Sequence, residues 1–201
     1  MTRAHFISGM FLTIFIGFHL FNHFMSLFGS EVHISVMNSL RLIYRNPVIE
    51  ILLMLAVLLQ IGSGIKLFSI RKPYASSFFD RLHLWSGMYL AIFLLIHVSA
   101  VLIGRSVLQL DTNIYFGAAG LNTFPINLFF IPYYSLAVLS FFGHVAAIHH
   151  KKMKRHFLCL SPAQQAWGIL ITGLVICVLL LFGLTAGFTG LEIPETYQLF
   201  P

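Results

Sequence analysis

The sequence predicts an all-α membrane protein with five transmembrane helices. The chain of 201 residues is 58% apolar and only 9% charged, whereas soluble domains carry about 25% charged residues. It also contains five long apolar runs, and one membrane span needs about 20 mostly apolar residues. We therefore expect a single transmembrane domain with no separate soluble domain.

The five predicted spans are bounded by charged and helix-breaking residues. They cover about residues 6–28, 47–69, 82–104, 128–149 and 166–188. Asn46-Pro47 marks the start of the second span, and Asp80 is the predicted N-cap of the third. Residues 106–127 are rich in Gly, Asn, Thr and Tyr, and we expect them to fold over one face of the bundle. The first run is too long for a signal peptide and is expected to be a permanent helix.

The two ends of the predicted bundle differ in their content of basic residues. Nine of the twelve Lys and Arg lie on one side: Arg3, Lys66 near the end of span two, and the seven between spans two and three or spans four and five. Five of the six acidic residues lie on the other side. Because Lys and Arg concentrate on the cytoplasmic side, we predict an inner (cytoplasmic) membrane protein with its N-terminus inside and its C-terminus outside. The net charge of +6 is then a topology signal and does not indicate nucleic-acid binding.

Ten histidines are many for so apolar a chain, and an ionisable side chain within a span suggests a function. His19 lies about 20 Å along the first span and His97 about 22 Å along the third, so the two share a depth. A b-type haem ligated on both faces needs such a pair of imidazoles. The alternative is that each histidine hydrogen-bonds a neighbouring helix or lines a polar cavity. His23 and Arg105, one and two turns beyond the pair, are candidates for holding haem propionates.

Several short motifs occur in a fixed order along the spans. They are H-L-F-N-H-F at 19–24, Glu50-Ile51 with Ser63-Gly64, R-L-x3-S-G-x9-H at 81–97, and F-F-G-H at 141–144. With these motifs, and in the number, order and length of its helices, the chain resembles a known family. This family is the five-helix cytochrome b membrane anchor of succinate dehydrogenase and fumarate reductase, the type with a single large anchor subunit.

The resemblance implies that the first four spans form a bundle around two haems. His19 and His97 match the outer ligand pair, and His144 matches the fourth-span ligand of the inner haem. The other inner ligand is replaced by Gln60, and an amide is a poor ligand for haem iron. Either the inner haem is lost, and Gln60 and His144 hydrogen-bond each other, a water or a quinone, or His83 supplies the missing ligand opposite His144. We favour the first outcome, because His83 lies near the membrane boundary.

The resemblance also implies electron transfer between a membrane quinone and flavoprotein and iron–sulfur subunits docked on the inner face. Glu50 is the candidate for accepting protons from a quinol, although a helix dipole also favours a glutamate at a helix start. No soluble catalytic motif is present, so catalysis is expected to require these partners. Two other classes stay open: a haem-free transport or assembly subunit, and a b-type cytochrome serving another dehydrogenase or hydrogenase.

Overall fold

The computed structural model describes residues 3–198, which form seven α-helices and no extended strand. Five of the helices are long and apolar enough to cross a membrane, namely α1, α3, α4, α6 and α7. The predicted all-α class with five possible membrane spans is therefore confirmed. In chain order the helices are α1 (Arg3–Phe24), α2 (Ser30–Tyr44), α3 (Pro47–Arg71), α4 (Phe78–Ser106), α5 (Ile114–Asn122), α6 (Asn127–Lys152) and α7 (Pro162–Leu184).

Three of the spanning helices, α1, α4 and α7, begin about one turn earlier than predicted. The N-cap of α4 is Ser77 and not Asp80, because the Ser77 hydroxyl accepts a hydrogen bond from the Asp80 amide at 3.1 Å. Helix α1 already begins at Arg3, and so His5 is a helical residue facing the interior. The earlier start of α1 adds His5 to the helical residues of the bundle.

The last spanning helix, Pro162–Leu184, is shifted by one turn from the predicted 166–188. Ser161 and Gln164 form a capping box at its start, and Pro162 occupies the first helical position. These residues start the helix at residue 162, four residues before the predicted start. The prediction missed the signal because it followed apolarity alone.

Two shorter helices, α2 and α5, lie in segments between the predicted spans. Helix α2 starts after Gly29, whose φ of 107° suits a residue without a side chain. Helix α5 is buried, with Ile114 only 2% exposed. Gly104 of α4 makes room for it, since a Cβ there would lie 2.6 Å from the ring of Phe116. The segment thus folds against the bundle as expected, but as a helix.

The long helices run alternately up and down, which creates two chemically different ends. Lys151 lies 3.1 Å from Asp80 at one end, and Arg105 pairs with Glu50 at the other. The end where α1, α4 and α7 begin carries nine of the twelve Lys and Arg, and we name it the basic end. The opposite end carries five of the six acidic residues, and we name it the acidic end.

Large apolar side chains cover the outside of the bundle. Ile7, Leu58 and Ile171, on three different helices, are all more than half exposed. Such a continuous apolar surface suits lipid and would be unusual in water. Inside, Leu12 of α1 packs against Leu53 of α3 within a buried apolar cluster.

Candidate functional site

A long cavity of about 470 Å³ lies inside the bundle. Its walls extend from His5 and His83 near the basic end to Glu50 and Arg105 at the acidic end. Protein interiors contain few voids larger than a water molecule, and sites for cofactors typically measure about 300–1,000 Å³. The interior therefore has the size of a ligand site.

His19 of α1 and His97 of α4 both line this cavity, with ring centres 6.1 Å apart. A metal–imidazole bond is about 2.0–2.1 Å long and the ring centre lies about 1 Å behind the bonded nitrogen, so two imidazoles flanking one metal have centres about 6 Å apart. The structure thus brings together the two histidines that were paired by depth. Their separation matches that of two ligands on opposite sides of one iron.

Each of these imidazoles stacks on a phenylalanine one turn earlier in its own helix. Phe15 lies 5.9 Å from His19 with an interplanar angle of 16°, and Phe93 lies 5.0 Å from His97 with an angle of 13°. Residues four apart are neighbours on a helix surface, and the stacking restricts the rotation of both rings. The repeated F-x3-H spacing was visible in the sequence but was not used in the prediction.

Hydrogen bonds connect the pair to α2 through a chain of imidazoles. His23 Nε2 lies 3.2 Å from His19 Nε2, and His23 Nδ1 lies 3.3 Å from His33 Nε2. Each contact needs one proton between its two nitrogens. Because the contact with His23 uses His19 Nε2, this nitrogen can bind a metal only after the contact with His23 is released. His23, a predicted propionate partner, thus contacts imidazoles on both sides.

The row of hydrogen-bonded imidazoles ends at His33, which was not among the predicted site residues. Only 1% of His33 is exposed, and Asn22 contacts its Nε2 at 3.2 Å. Burial lowers the pKa of His33 to about 4, and the nearby His19 and Arg41 contribute to the shift. His33 is therefore neutral at neutral pH. It was missed because α2 lies outside the predicted spans.

Three arginines line the acidic end of the cavity: Arg41, Arg45 and Arg105. Arg105 Nη1 lies 2.5 Å from Glu50 Oε1, and Arg41 pairs with Asp111 at 2.7 Å. The predicted proton acceptor and one predicted propionate partner are therefore bound to each other. The two arginines of α2 and its C-cap were not predicted, and they add positive charge suited to carboxylate groups of a ligand.

At the basic end the structure separates the two residues that the resemblance had paired. Gln60 Nε2 donates to the carbonyl of His5 at 2.5 Å and to Ser8 Oγ at 2.9 Å. The direct hydrogen bond expected between Gln60 and His144 is not formed. Instead, His144 Nδ1 donates to the carbonyl of His83 at 3.2 Å, and their ring centres are 4.5 Å apart. This separation is shorter than the distance of about 6 Å that a metal between two imidazoles requires.

A smaller cavity of about 170 Å³ opens at the basic end. Its lining is mostly cationic and includes Arg71, Lys151 and Lys152 beside His83. Several of these residues also line the main cavity. The interior of the bundle therefore extends to the basic end through a positively charged opening.

Within residues 3–198, no three His, Cys, Asp or Glu side chains are arranged to hold a bare metal ion. No protein-family model, no curated protein and no solved structure matches the chain. The fold and the cavity thus define its class as an all-α protein with five possible membrane spans and an internal, histidine-lined cavity.

Proposed function

We propose that this chain is the haem-bearing membrane anchor of a succinate dehydrogenase or fumarate reductase. In this role it carries electrons between a membrane quinone and flavoprotein and iron–sulfur subunits. The observation that carries the proposal is the His19–His97 pair, whose ring centres lie 6.1 Å apart on the wall of a cavity of about 470 Å³. The ordered motifs that contain these histidines support the choice of family.

Haem b suits this pair because its iron is commonly bound by imidazoles. His19 and His97 would hold the iron, while Phe15 and Phe93 hold the two rings in orientation. When bound, the haem supplies one-electron transfer. The arginines at the acidic end offer charge-assisted hydrogen bonds to its propionates.

The quinone reacts at the acidic end in this proposal. Glu50 lines the cavity there and is held by Arg105. Once this ion pair opens, the carboxylate accepts a proton from a quinol hydroxyl. The apolar cavity walls suit a lipid-soluble substrate.

The soluble partners dock at the basic end. The cationic opening there is lined by Arg71, Lys151 and Lys152, which attract an acidic partner surface. With this end on the cytoplasmic side of the inner membrane, the N-terminus is inside and the C-terminus outside. Catalysis of succinate or fumarate chemistry then belongs to the partners.

A reduced-minus-oxidised absorption spectrum of the purified chain tests haem binding. We expect a low-spin b-type spectrum that His97→Ala abolishes while the chain stays in the membrane fraction. His150→Ala is the matched control, because His150 stacks on Phe79 outside the cavity, and it should keep the spectrum. An unchanged spectrum in His97→Ala refutes the ligand pair, and a wild-type chain without haem favours a transport or assembly subunit.

Copurification tests the proposed partners. Purification of the chain from native membranes should recover a protein with covalently bound flavin together with an iron–sulfur protein. Recovery of a different dehydrogenase or a hydrogenase would keep the cytochrome assignment but contradict the proposed complex.

A further inference from the structure

We propose that the loop between α6 and α7, residues 153–161, anchors the basic end of the bundle to anionic phospholipids. In this role Phe157 and Leu158 enter the headgroup layer of the membrane, while Lys154 and Arg155 bind lipid phosphates. The inference goes beyond the proposed function and does not depend on haem, because it rests only on how this loop is placed beside the spanning helices.

The loop contains a tight turn from Phe157 to Leu160, with Leu158 and Cys159 at its centre. The amide of Leu160 donates to the carbonyl of Phe157 at 2.9 Å, and the amide of Phe157 donates to the carbonyl of Leu160 at 3.2 Å. Both central residues have positive φ, 48° for Leu158 and 62° for Cys159, and turns of this kind prefer Asn-Gly there. A leucine is thus locally unfavourable, which indicates a role for its side chain outside the turn.

The apolar side chains of this turn face away from the protein. Leu158 is 78% exposed and Phe157 64%, and Leu160 beside them is exposed as well. We name these three residues the apolar tip. Neighbouring exposed apolar side chains are unfavourable in water and mark surfaces that contact a membrane or a partner. The tip is therefore suited to an environment other than bulk water.

Gln165 fastens the loop beside the first turn of α7. Its amide donates to the carbonyl of Arg155 at 3.2 Å and to that of Leu160 at 2.9 Å, and its Oε1 lies 2.9 Å from His149 Nε2 of α6. Trp167 lies about 3 Å further along α7 and is 50% exposed. Tryptophans are enriched at the headgroup level of membranes. The loop is therefore held close to the level of the headgroups.

The two cations directly before the apolar tip, Lys154 and Arg155, are exposed. Within residues 3–198 neither of them forms an ion pair, and the sequence contains no acidic residue between Asp111 and Glu192. Their charges are therefore available to an anionic ligand. Basic clusters that directly follow a spanning helix bind anionic lipid headgroups, and each Lys or Arg contributes about fivefold to this binding.

The position of the tip favours a lipid surface over an acidic protein surface. Cations next to apolar side chains at the headgroup level match the arrangement of lipid phosphates above acyl chains. A soluble subunit approaches from the aqueous side, where the cationic opening lined by Arg71 and Lys151 lies. The loop and the opening therefore serve different partners at the same end of the bundle.

A fluorophore on Cys159 tests the proposal. The variant Cys177→Ser leaves the exposed Cys159 as the single thiol, which is labelled in detergent with uncharged nitrobenzoxadiazole. The chain is then reconstituted into phosphatidylcholine vesicles with increasing phosphatidylglycerol. We expect a blue shift of the emission and weaker quenching by acrylamide as the anionic lipid increases.

Paired charge variants test the role of the two cations. The double variant Lys154→Gln with Arg155→Gln should raise the fraction of phosphatidylglycerol needed for half of the blue shift about fivefold or more. The matched control is Lys66→Gln with Lys72→Gln, which removes two charges from the same end. Lys72 lies over the rings of Phe68 and Trp85, outside the loop, so this control should behave like the wild type.

The variant Leu158→Gly separates membrane insertion from a role in the turn. Glycine adopts a φ of 48° without strain, so thermal unfolding in detergent should occur at the same temperature or a higher one, while the blue shift should decrease. Emission that is independent of phosphatidylglycerol overturns the proposal, and so does an equal loss of the shift in both double variants. A shift that appears only after copurified soluble subunits are added would assign the loop to a protein partner and would also overturn it.

Discussion

The ion pair between Glu50 and Arg105 closes the acidic end of the cavity, with its charged atoms 2.5 Å apart. The side chains are 26% and 32% exposed, respectively, so neither is fully solvated. At the scale of single residues this pair therefore has two possible uses. It either joins α3 to α4, or it holds a carboxylate that receives protons from a quinol.

Replacing Glu50 by glutamine distinguishes the two uses, because glutamine keeps the shape but cannot accept a proton. General base catalysis contributes about 10²–10⁴-fold to a rate, so Glu50→Gln should slow haem reduction by a short-chain quinol about 100-fold or more. The measurement is stopped-flow absorption of the purified chain. Asp111→Asn is the control, since Asp111 pairs with Arg41 at the same end but does not line the cavity. An unchanged rate in Glu50→Gln would leave only the structural role.

At the scale of elements, α2 is held against α1 by its buried histidine. His33 is 1% exposed and contacts His23 and Asn22 of α1. Burial lowers the pKa of His33 from 6.5 to about 4. An imidazole in this environment is stable only when neutral, so the attachment of α2 depends on pH.

We expect the stability of the chain to fall between pH 6.5 and about 4. Below pH 6.5 the unfolded chain protonates His33, whereas the folded chain does not until about pH 4. The contribution of neutral His33 to the stability of the folded chain is thus fully present above pH 6.5, and it is lost as the pH falls from 6.5 to about 4. Thermal unfolding at pH 7 and pH 5 should show a smaller pH dependence in His33→Leu than in the wild type. His156→Leu, at an exposed position, should behave like the wild type, and equal pH dependence in all three would contradict the argument.

Gly173 of α7 allows α6 to approach closely. At Gly173 a Cβ would lie 2.4 Å from Phe142 Cβ, which cannot move without its backbone, whereas at Gly168 nothing lies within 4 Å. Gly173→Ala should therefore destabilise the chain by about 1–3 kcal/mol, and Gly168→Ala should stabilise it by up to about 1 kcal/mol. Thermal unfolding in detergent measures both. Equal shifts in the two variants would show that α6 yields to the added methyl group.

At the scale of the whole molecule, the orientation in the membrane decides where partners can dock. Cys159 is exposed near the basic end, and Cys177 is buried. Labelling of Cys159 therefore shows on which side of the membrane the basic end lies. A membrane-impermeant maleimide should label Cys159 only after cells are permeabilised, and Cys159→Ser should remove the label. Ready labelling in intact cells would place the basic end outside and exclude docking of cytoplasmic subunits there.

The sequence by itself determined the all-α fold class, the five long helices and the shared depth of His19 and His97. These features depend on local quantities: the apolar length of a run, the charges that bound it, and the fixed rise of 1.5 Å per residue of an α-helix. Helix starts were missed by about a turn where caps, such as Ser77 and Ser161, and not apolarity, set the boundary. His5 was also missed, because the predicted first span started at residue 6 whereas α1 includes residues 3–5.

Only the tertiary structure decided which side chains meet inside the bundle. It assigned Gln60 to His5 and Ser8 and not to His144, and it added His33, Arg41 and Arg45 to the site. The reason is physical, because contacts between helices depend on the rotation of each helix about its axis and on which helices become neighbours. Both are settled by packing among residues far apart in the chain, and no local pattern of apolar or polar residues contains that information.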